Sequence, residues 1–518
     1  MRVVFSKLVR ILRETPALLL LFFVFLFIIP RSLSYDNAWV QPEQFFIKWG
    51  ILSTGANLNL QDLKNGLNWP LFEYQPRSTR PLASYFEILD TKFRVWLWHY
   101  IPPHPSLSLT WIFSLILGPI FLYKLLRNSN IGINVAVAMV SFYLVTPGVL
   151  SYEVMLYRSA KPMANFFIIF CLYAASVLKR KFIDNGETIP FRNYAGFWFL
   201  VAFSFYWDEI SWIIFPAIFF IFPRIIKPKI YLLLWLLLPL ITLISYFKII
   251  PFLSMCAGFP FPHFSQSLKF YNGLAYADVI NQRFGPICYF IKVLGPNTKN
   301  LILETMGIIL PKYSKDPLYV IVNFYSCLFA WGVICYYLCK VRKKLDLILP
   351  FLFGLILFFN YWISINLRIW GPYCYGTFWP IFFVIYLSRF INKANIPKNV
   401  LTICLFFILL SMFNCFLATN LVYKKYHYYP YSPGLIRDYY YAGSKSRFVE
   451  TPAFRGKNIK EDIIIYWTQV RSGTEIEPFS LPKELCWLPL ELEPERKHER
   501  YMLLSDQPKD NIPLLTAI

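Results

Sequence analysis

The sequence predicts an all-α transmembrane protein with about eleven membrane-crossing helices, external loops and an external C-terminal tail of mixed or irregular structure. Three observations predict it. Only 15% of the 518 residues are charged, while 57% are hydrophobic; soluble domains carry roughly 25% charged residues to cover their surface. Charge-free stretches close to the length of a bilayer recur along the chain. The connections between them alternate between short basic segments and longer mixed ones.

In order, the spans run from about Pro16 to Leu33, Leu107 to Leu126, Ile131 to Leu150 and Met163 to Leu178. A short pair follows over Tyr194–Tyr206 and Ile210–Phe222. Then come Ile230–Phe247, Leu318–Leu338, Leu345–Ile363, Tyr373–Leu387 and Val400–Leu417. Orientation comes from the basic loops. They hold Arg2, Lys7, Arg10 and Arg13; Lys124 and Arg127; Lys179, Arg180, Lys181 and Arg192; Arg224, Lys227 and Lys229; Lys340, Arg342, Lys343 and Lys344; and Arg389, Lys393 and Lys398. The positive-inside rule assigns that side to the cytoplasm. The N-terminus is then cytoplasmic and the C-terminus external. No small-residue cleavage site follows the first apolar run, so it reads as a span and not as a signal.

The long segments all fall outside. Residues 1–417 form the membrane domain, with a first external loop over 36–105 and a middle external loop over 248–317; residues 418–518 form the external tail. The tail is Tyr-rich, then holds a strand-like run at Asp462–Trp467 and a Pro/Glu-rich stretch. Cytoplasmic loops are too short for a domain, which puts any chemistry outside or within the membrane. In the first loop, Leu82, Tyr85, Phe86, Leu89, Phe93 and Trp96 recur at helical spacing, with Ser84, Glu87, Asp90 and Arg94 on the other face. This predicts an amphipathic helix over 82–99 lying in the membrane interface, or packed on other external segments. Pro102, Pro103 and Pro105 end it.

The net charge of +22 does not make a nucleic-acid surface, because the basic residues punctuate the apolar stretches and form no single patch. The ten cysteines show no metal spacing. Cys171, Cys327, Cys335, Cys339, Cys404 and Cys415 lie in apolar segments as small hydrophobes. Cys256, Cys288, Cys374 and Cys486 fall in external loops, where disulfides form, with a pairing the sequence does not give. His99, His104, His263, His427 and His498 make no metal pair, and Walker, GxGxxG and GxSxG motifs are absent.

Several polar residues stand at the external face. Asp36, in Ser34-Tyr35-Asp36-Asn37, follows the first span; a carboxylate at the mouth of a low-dielectric cavity can act as a general base, and a solvated loop aspartate is the plainer reading. Glu153 follows the third span, and Arg158 and Lys161 precede the fourth. Two cations three residues apart can clamp a phosphate or contact lipid headgroups. Asp208 and Glu209 are separated from the flanking Arg192 and Arg224 by only 15 and 14 residues. A helix of that length reaches about 22 Å, short of the roughly 30 Å hydrocarbon core. The acidic pair should therefore sit recessed, which calls for a water-filled cavity, a partner cation or a bound ion; the alternatives are one tilted helix or helix capping by Asp208. Arg368, among aromatics between two late spans, suits a lipid-linked phosphate or an interfacial anchor.

Together these residues resemble the GT-C class of polytopic membrane glycosyltransferases, which use a polyprenyl-phosphate sugar on the external side. Asp36 resembles the class's acidic residue after the first span, Glu153 its second-loop acid, and the turn at Trp207-Asp208-Glu209 its short-helix pair. Ser78-Thr79-Arg80-Pro81-Leu82 is similar to the Ser-x-Arg-Pro-Leu segment of TMTC-type protein O-mannosyltransferases; aminoarabinose transferases share the general plan. The resemblance implies an inverting transfer to a lipid, glycan or protein acceptor. Asp36 would take the acceptor proton, with Glu153 orienting the acceptor. Arg80, Arg158, Lys161 and Arg368 would hold substrate and leaving phosphate. Asp36-Asn37 stands where several relatives carry two acids, and no tetratricopeptide repeats follow. No cofactor is implied with certainty, and a divalent metal stays open. The competing functions are an O-antigen-type polymerase or ligase, and a transporter or flippase. Lacking eukaryotic repeats and retention signals, the chain is expected in a bacterial inner membrane.

Overall fold

A computed structural model describes residues 10–32, eight positions between 82 and 97, residues 107–146, 148–150 and 160–256, positions 303 and 306–308, and residues 317–339 and 379–426. The described residues form helices and turns, with no strand. The ninth predicted span, the strand-like run at Asp462–Trp467, and Cys288, Cys374 and Cys486 lie outside them. Two helices, Leu109–Asn128 and Val320–Cys339, are long and apolar enough to cross a membrane by length and composition.

The helices follow the apolar stretches. α1 is Ala17–Ser32. α2 is Leu109–Asn128, widened into a π turn at Ile112–Leu117. α3 is Ile133–Val145, α4 Ala160–Lys181, α5 Phe191–Ser204 and α6 Ile214–Ile221. α7 begins as Lys229–Ile244, passes through a π turn at Ser245–Ile249 and continues as Ile250–Cys256. α8 is Pro317–Cys339, α9 Trp379–Ala394 and α10 Lys398–Tyr426. Both π turns sit just upstream of a proline, Pro119 and Pro251. Proline lacks the N–H that would close the preceding turn, and its ring crowds the carbonyl four residues back, so the helix widens there.

Three expected boundaries move; α10 runs past Leu417, where the tail was expected to begin, to Tyr426. The seventh span was expected to end at Phe247, with Lys248 opening the middle loop, but α7 runs helically through Lys248 to Cys256. One lysine on a long flexible stem does not stop a helix whose neighbours stay apolar. Likewise α9 continues past Leu387 through Arg389 and Lys393 to Ala394.

The short pair expected around Asp208 is a hairpin. Tyr194, at the start of α5, stacks on Tyr231, at the start of α7, with centroids 3.9 Å apart and planes 5° apart. Tyr194 donates to the Tyr231 carbonyl at 2.9 Å, and the Tyr231 hydroxyl donates to the Ile189 carbonyl at 2.6 Å. Farther along, the Trp198 indole donates to the Leu234 carbonyl at 2.9 Å and Tyr246 donates to the Phe205 carbonyl. α5 and α7 therefore run parallel, so the chain between them must return to its starting level through α6.

The basic connections gather at one end of the bundle. The α2–α3 turn is closed by Asn130 in the left-handed region (φ 59°), with Ile131 N–H donating back to the Leu126 carbonyl at 3.1 Å. Asn392 of α9 accepts from Gly132 N–H at 2.8 Å, and Asn134 of α3 accepts from Ala17 N–H at 3.0 Å. Lys398 donates to the Glu14 carbonyl at 2.9 Å, and Arg180 donates to Asn128 at 3.1 Å. Helix ends that would leave backbone groups orphaned are joined to one another.

Outward, α7 presents Leu233, Leu236, Leu240 and Ile244, and α8 presents Leu318, Ile321, Val322 and Phe329, all exposed. Inside, α2 and α4 approach closely at Gly118, where a Cβ would lie 3.3 Å from the Phe113 carbonyl and within 4 Å of Ile169 and Phe166.

The eight described positions between 82 and 97 are helical, as the spacing predicts. Its faces differ from expectation. Asp90, placed on the polar face, is buried and accepts from Thr110 N–H at 3.1 Å and from its hydroxyl at 3.0 Å. Leu89 and Trp96 are exposed instead. A carboxylate meeting the open N-terminus of α2 satisfies donors that would otherwise be orphaned; a helical wheel of the loop alone does not contain that partner. Asp90→Ala is expected to destabilise the protein by about 1–3 kcal/mol, measured by thermal unfolding in detergent, with faster proteolysis of the first loop.

Candidate functional site

Asp208 sits at the tip of the α5–α6 hairpin. α5 ends at Ser204, the chain turns through Phe205–Trp207, and Asp208 adopts an extended conformation (φ −161°, ψ 151°). Its Oδ1 accepts from Ile210 N–H at 3.1 Å, capping the 3-10 turn Glu209–Ile213. Its Oδ2 lies 3.8 Å from Lys161 Nζ, with the lysine and aspartate side chains only 2% and 1% exposed. Of the readings left open for Asp208, two hold together: it caps a helix, and a partner cation meets its charge.

Lys161 comes from the first turn of α4, followed by Pro162. Proline is tolerated there because its missing N–H needs no partner in a first turn. Asn165, one turn on and on the same face of α4, is fully buried. Ser211, three residues beyond Asp208, is fully buried, and Trp207 nearly so. Neither the Ser211 hydroxyl nor the Trp207 indole N–H has a hydrogen-bond partner among the described residues. The centre of the site is an ion pair with two buried polar groups of spare capacity beside it.

An aromatic cluster is built on Trp207, the chain neighbour of Asp208. Trp207 stacks on Phe167 at 5.2 Å and receives the Phe86 ring edge-on at 5.2 Å. Phe86 also meets Phe113 of α2, which packs against Phe166 of α4. Leu82 and Ala83 pack into the same cluster as Met163, Ala164 and Trp207. The first-loop helix therefore lies against that aromatic cluster. An apolar surround strengthens the attraction between the two charges but raises the cost of burying them.

Chemically, the ammonium can meet an anionic oxygen and the carboxylate can accept a donor. Lys161 is buried, with its ammonium toward Asp208. The backbone of Glu209 opens the 3-10 turn. Asp36, Arg80, Glu153, Arg158 and Arg368 lie outside the described residues. Among the described residues no group of three His, Cys, Asp or Glu side chains is placed to hold a metal ion.

Sequence reasoning passed over Asn165 and Ser211. Asn165 had a signal, since it shares a helical face with Lys161. Ser211 had another, standing within one turn of a charged residue in a span. No protein-family model, characterised protein or solved structure matches this chain.

Proposed function

We propose that this chain is a multi-pass membrane glycosyltransferase of GT-C-like plan, with about eleven spans, a cytoplasmic N-terminus and an external C-terminus. It moves a sugar from a polyprenyl-phosphate donor to an external lipid, glycan or protein acceptor with inversion. One observation carries the reading: the first-loop helix, beginning where Ser78-Thr79-Arg80-Pro81-Leu82 ends, packs through Leu82, Ala83 and Phe86 onto the aromatic cluster of Trp207, the chain neighbour of Asp208 in the Lys161–Asp208 pair. In the sequence Arg80 precedes Leu82 by two residues. A charged centre beneath an amphipathic helix suits a substrate with a lipid tail and a charged phosphate.

The apolar outward faces of α7 and α8 support burial in lipid, since soluble surfaces rarely expose such patches. The gathering of Glu14, Asn128, Arg180, Asn392 and Lys398 at one end supports the alternating topology. In the proposed reaction the acceptor oxygen attacks the anomeric carbon while Asp36 takes its proton, and the bond to the lipid phosphate breaks with its electron pair leaving on the phosphate oxygen. Arg158, Lys161 and Arg368 neutralise that departing charge, Arg80 holds substrate, and Glu153 orients the acceptor. The proposed home is a bacterial inner membrane.

Membranes containing the chain, given a radiolabelled polyprenyl-phosphate sugar, are expected to move label into a glycoconjugate. Label that crosses the membrane without joining an acceptor would replace this reading with a transporter.

A further inference from the structure

We infer that the turn at Leu303 and Met306–Ile308, in the stretch read from the sequence as an external middle loop, lies at mid-membrane depth and plugs the seam between α8 and α10. This inference rests on the spanning reading above. Gly307 has φ +79°, and Ile308 N–H donates to the Leu303 carbonyl at 2.9 Å. That is the left-handed glycine ending of a helical turn. The turn lies between the two helices. A Cβ on Gly307 would stand 3.0 Å from Met412 Cγ and 3.1 Å from the Ile408 carbonyl, both of α10. On the α8 side, Trp331 donates to the Met306 carbonyl at 3.0 Å, and the Cys327 thiol donates to the Gly307 carbonyl at 3.4 Å.

Depth follows from position along the helices. Cys327 lies ten residues from the start of α8, and Ile408 ten residues from the start of α10. At 1.5 Å per residue each is about 15 Å along its helix, half of a roughly 30 Å hydrocarbon core. Non-helical backbone is tolerated at that depth only where protein surrounds it and its polar groups are met. Both conditions hold: Ile308 is buried, and the two carbonyls are held by an indole and a thiol.

Gly186 supplies the control, because it has φ +78° but nothing within 4 Å of its would-be Cβ. Gly307→Ala is expected to lower the Tm of the detergent-solubilised full chain by roughly 4 °C more than Gly186→Ala does. The excess should shrink in a Met412→Ala background, which removes the nearest atom. Equal losses for the two glycines, or a Gly307→Ala loss unchanged by Met412→Ala, would overturn the plug. Carbonate washing of membranes tests the spanning reading separately: retention of the chain is expected, and its release would overturn the assigned depth along with that reading.

Discussion

Lys161→Met and Asp208→Asn should each destabilise the protein by about 3–5 kcal/mol, because each removes one partner of a buried ion pair. Asparagine at 208 keeps an oxygen for the Ile210 N–H, so the cap survives and the loss reports the charge alone. The double variant removes both charges and should recover most of the stability, since replacing a whole buried pair is often neutral. Thermal unfolding in detergent measures all three. Losses that simply add would show that the two side chains do not act as a pair. Sugar transfer gives a second readout. If the pair only holds α4 to the α5–α6 hairpin, the double variant transfers sugar normally; if it belongs to the reacting site, the variant folds and stays inactive. The proposal expects the second result.

Asp36→Asn is expected to abolish sugar transfer while leaving membrane insertion and thermal stability unchanged. Removing a general base costs typically about 10²–10⁴ in rate, and the amide preserves the shape of the side chain. The assay is transfer from radiolabelled polyprenyl-phosphate sugar, with protein amount in washed membranes as the control. Transfer at the unmodified rate would remove Asp36 from the mechanism and leave Glu153 or Asp208 to supply the base.

Much of the helical layout was legible in the sequence because hydrocarbon-length runs and charge are local properties. The hairpin at Asp208 could be anticipated from the spacing of Arg192, Asp208 and Arg224 alone. What stayed hidden was non-local. The cation beside Asp208 is Lys161, which had been read with Arg158 as a phosphate clamp or a lipid-headgroup contact because those two are neighbours in the chain. Asp90 was placed on a polar face because its partner, Thr110, belongs to another helix. Lys248 was read as the end of a span, although a single snorkelling lysine leaves the surrounding apolar pattern intact. Met306–Gly307–Ile308 was assigned to the external middle loop by the alternation of the basic loops. Only the tertiary position of Cys327 and Ile408 reveals the turn between them.

The buried ion pair also has a consequence for how the protein is made. Lys161 leaves the ribosome 47 residues before Asp208. During that interval the head of α4 has not yet met the Asp208 carboxylate that lies beside Lys161 in the folded protein. Docking of Asp208 is therefore a late step of assembly. It seats the head of α4 and the tip of the hairpin together, and the aromatic cluster that receives Phe86 is completed only with the arrival of Trp207.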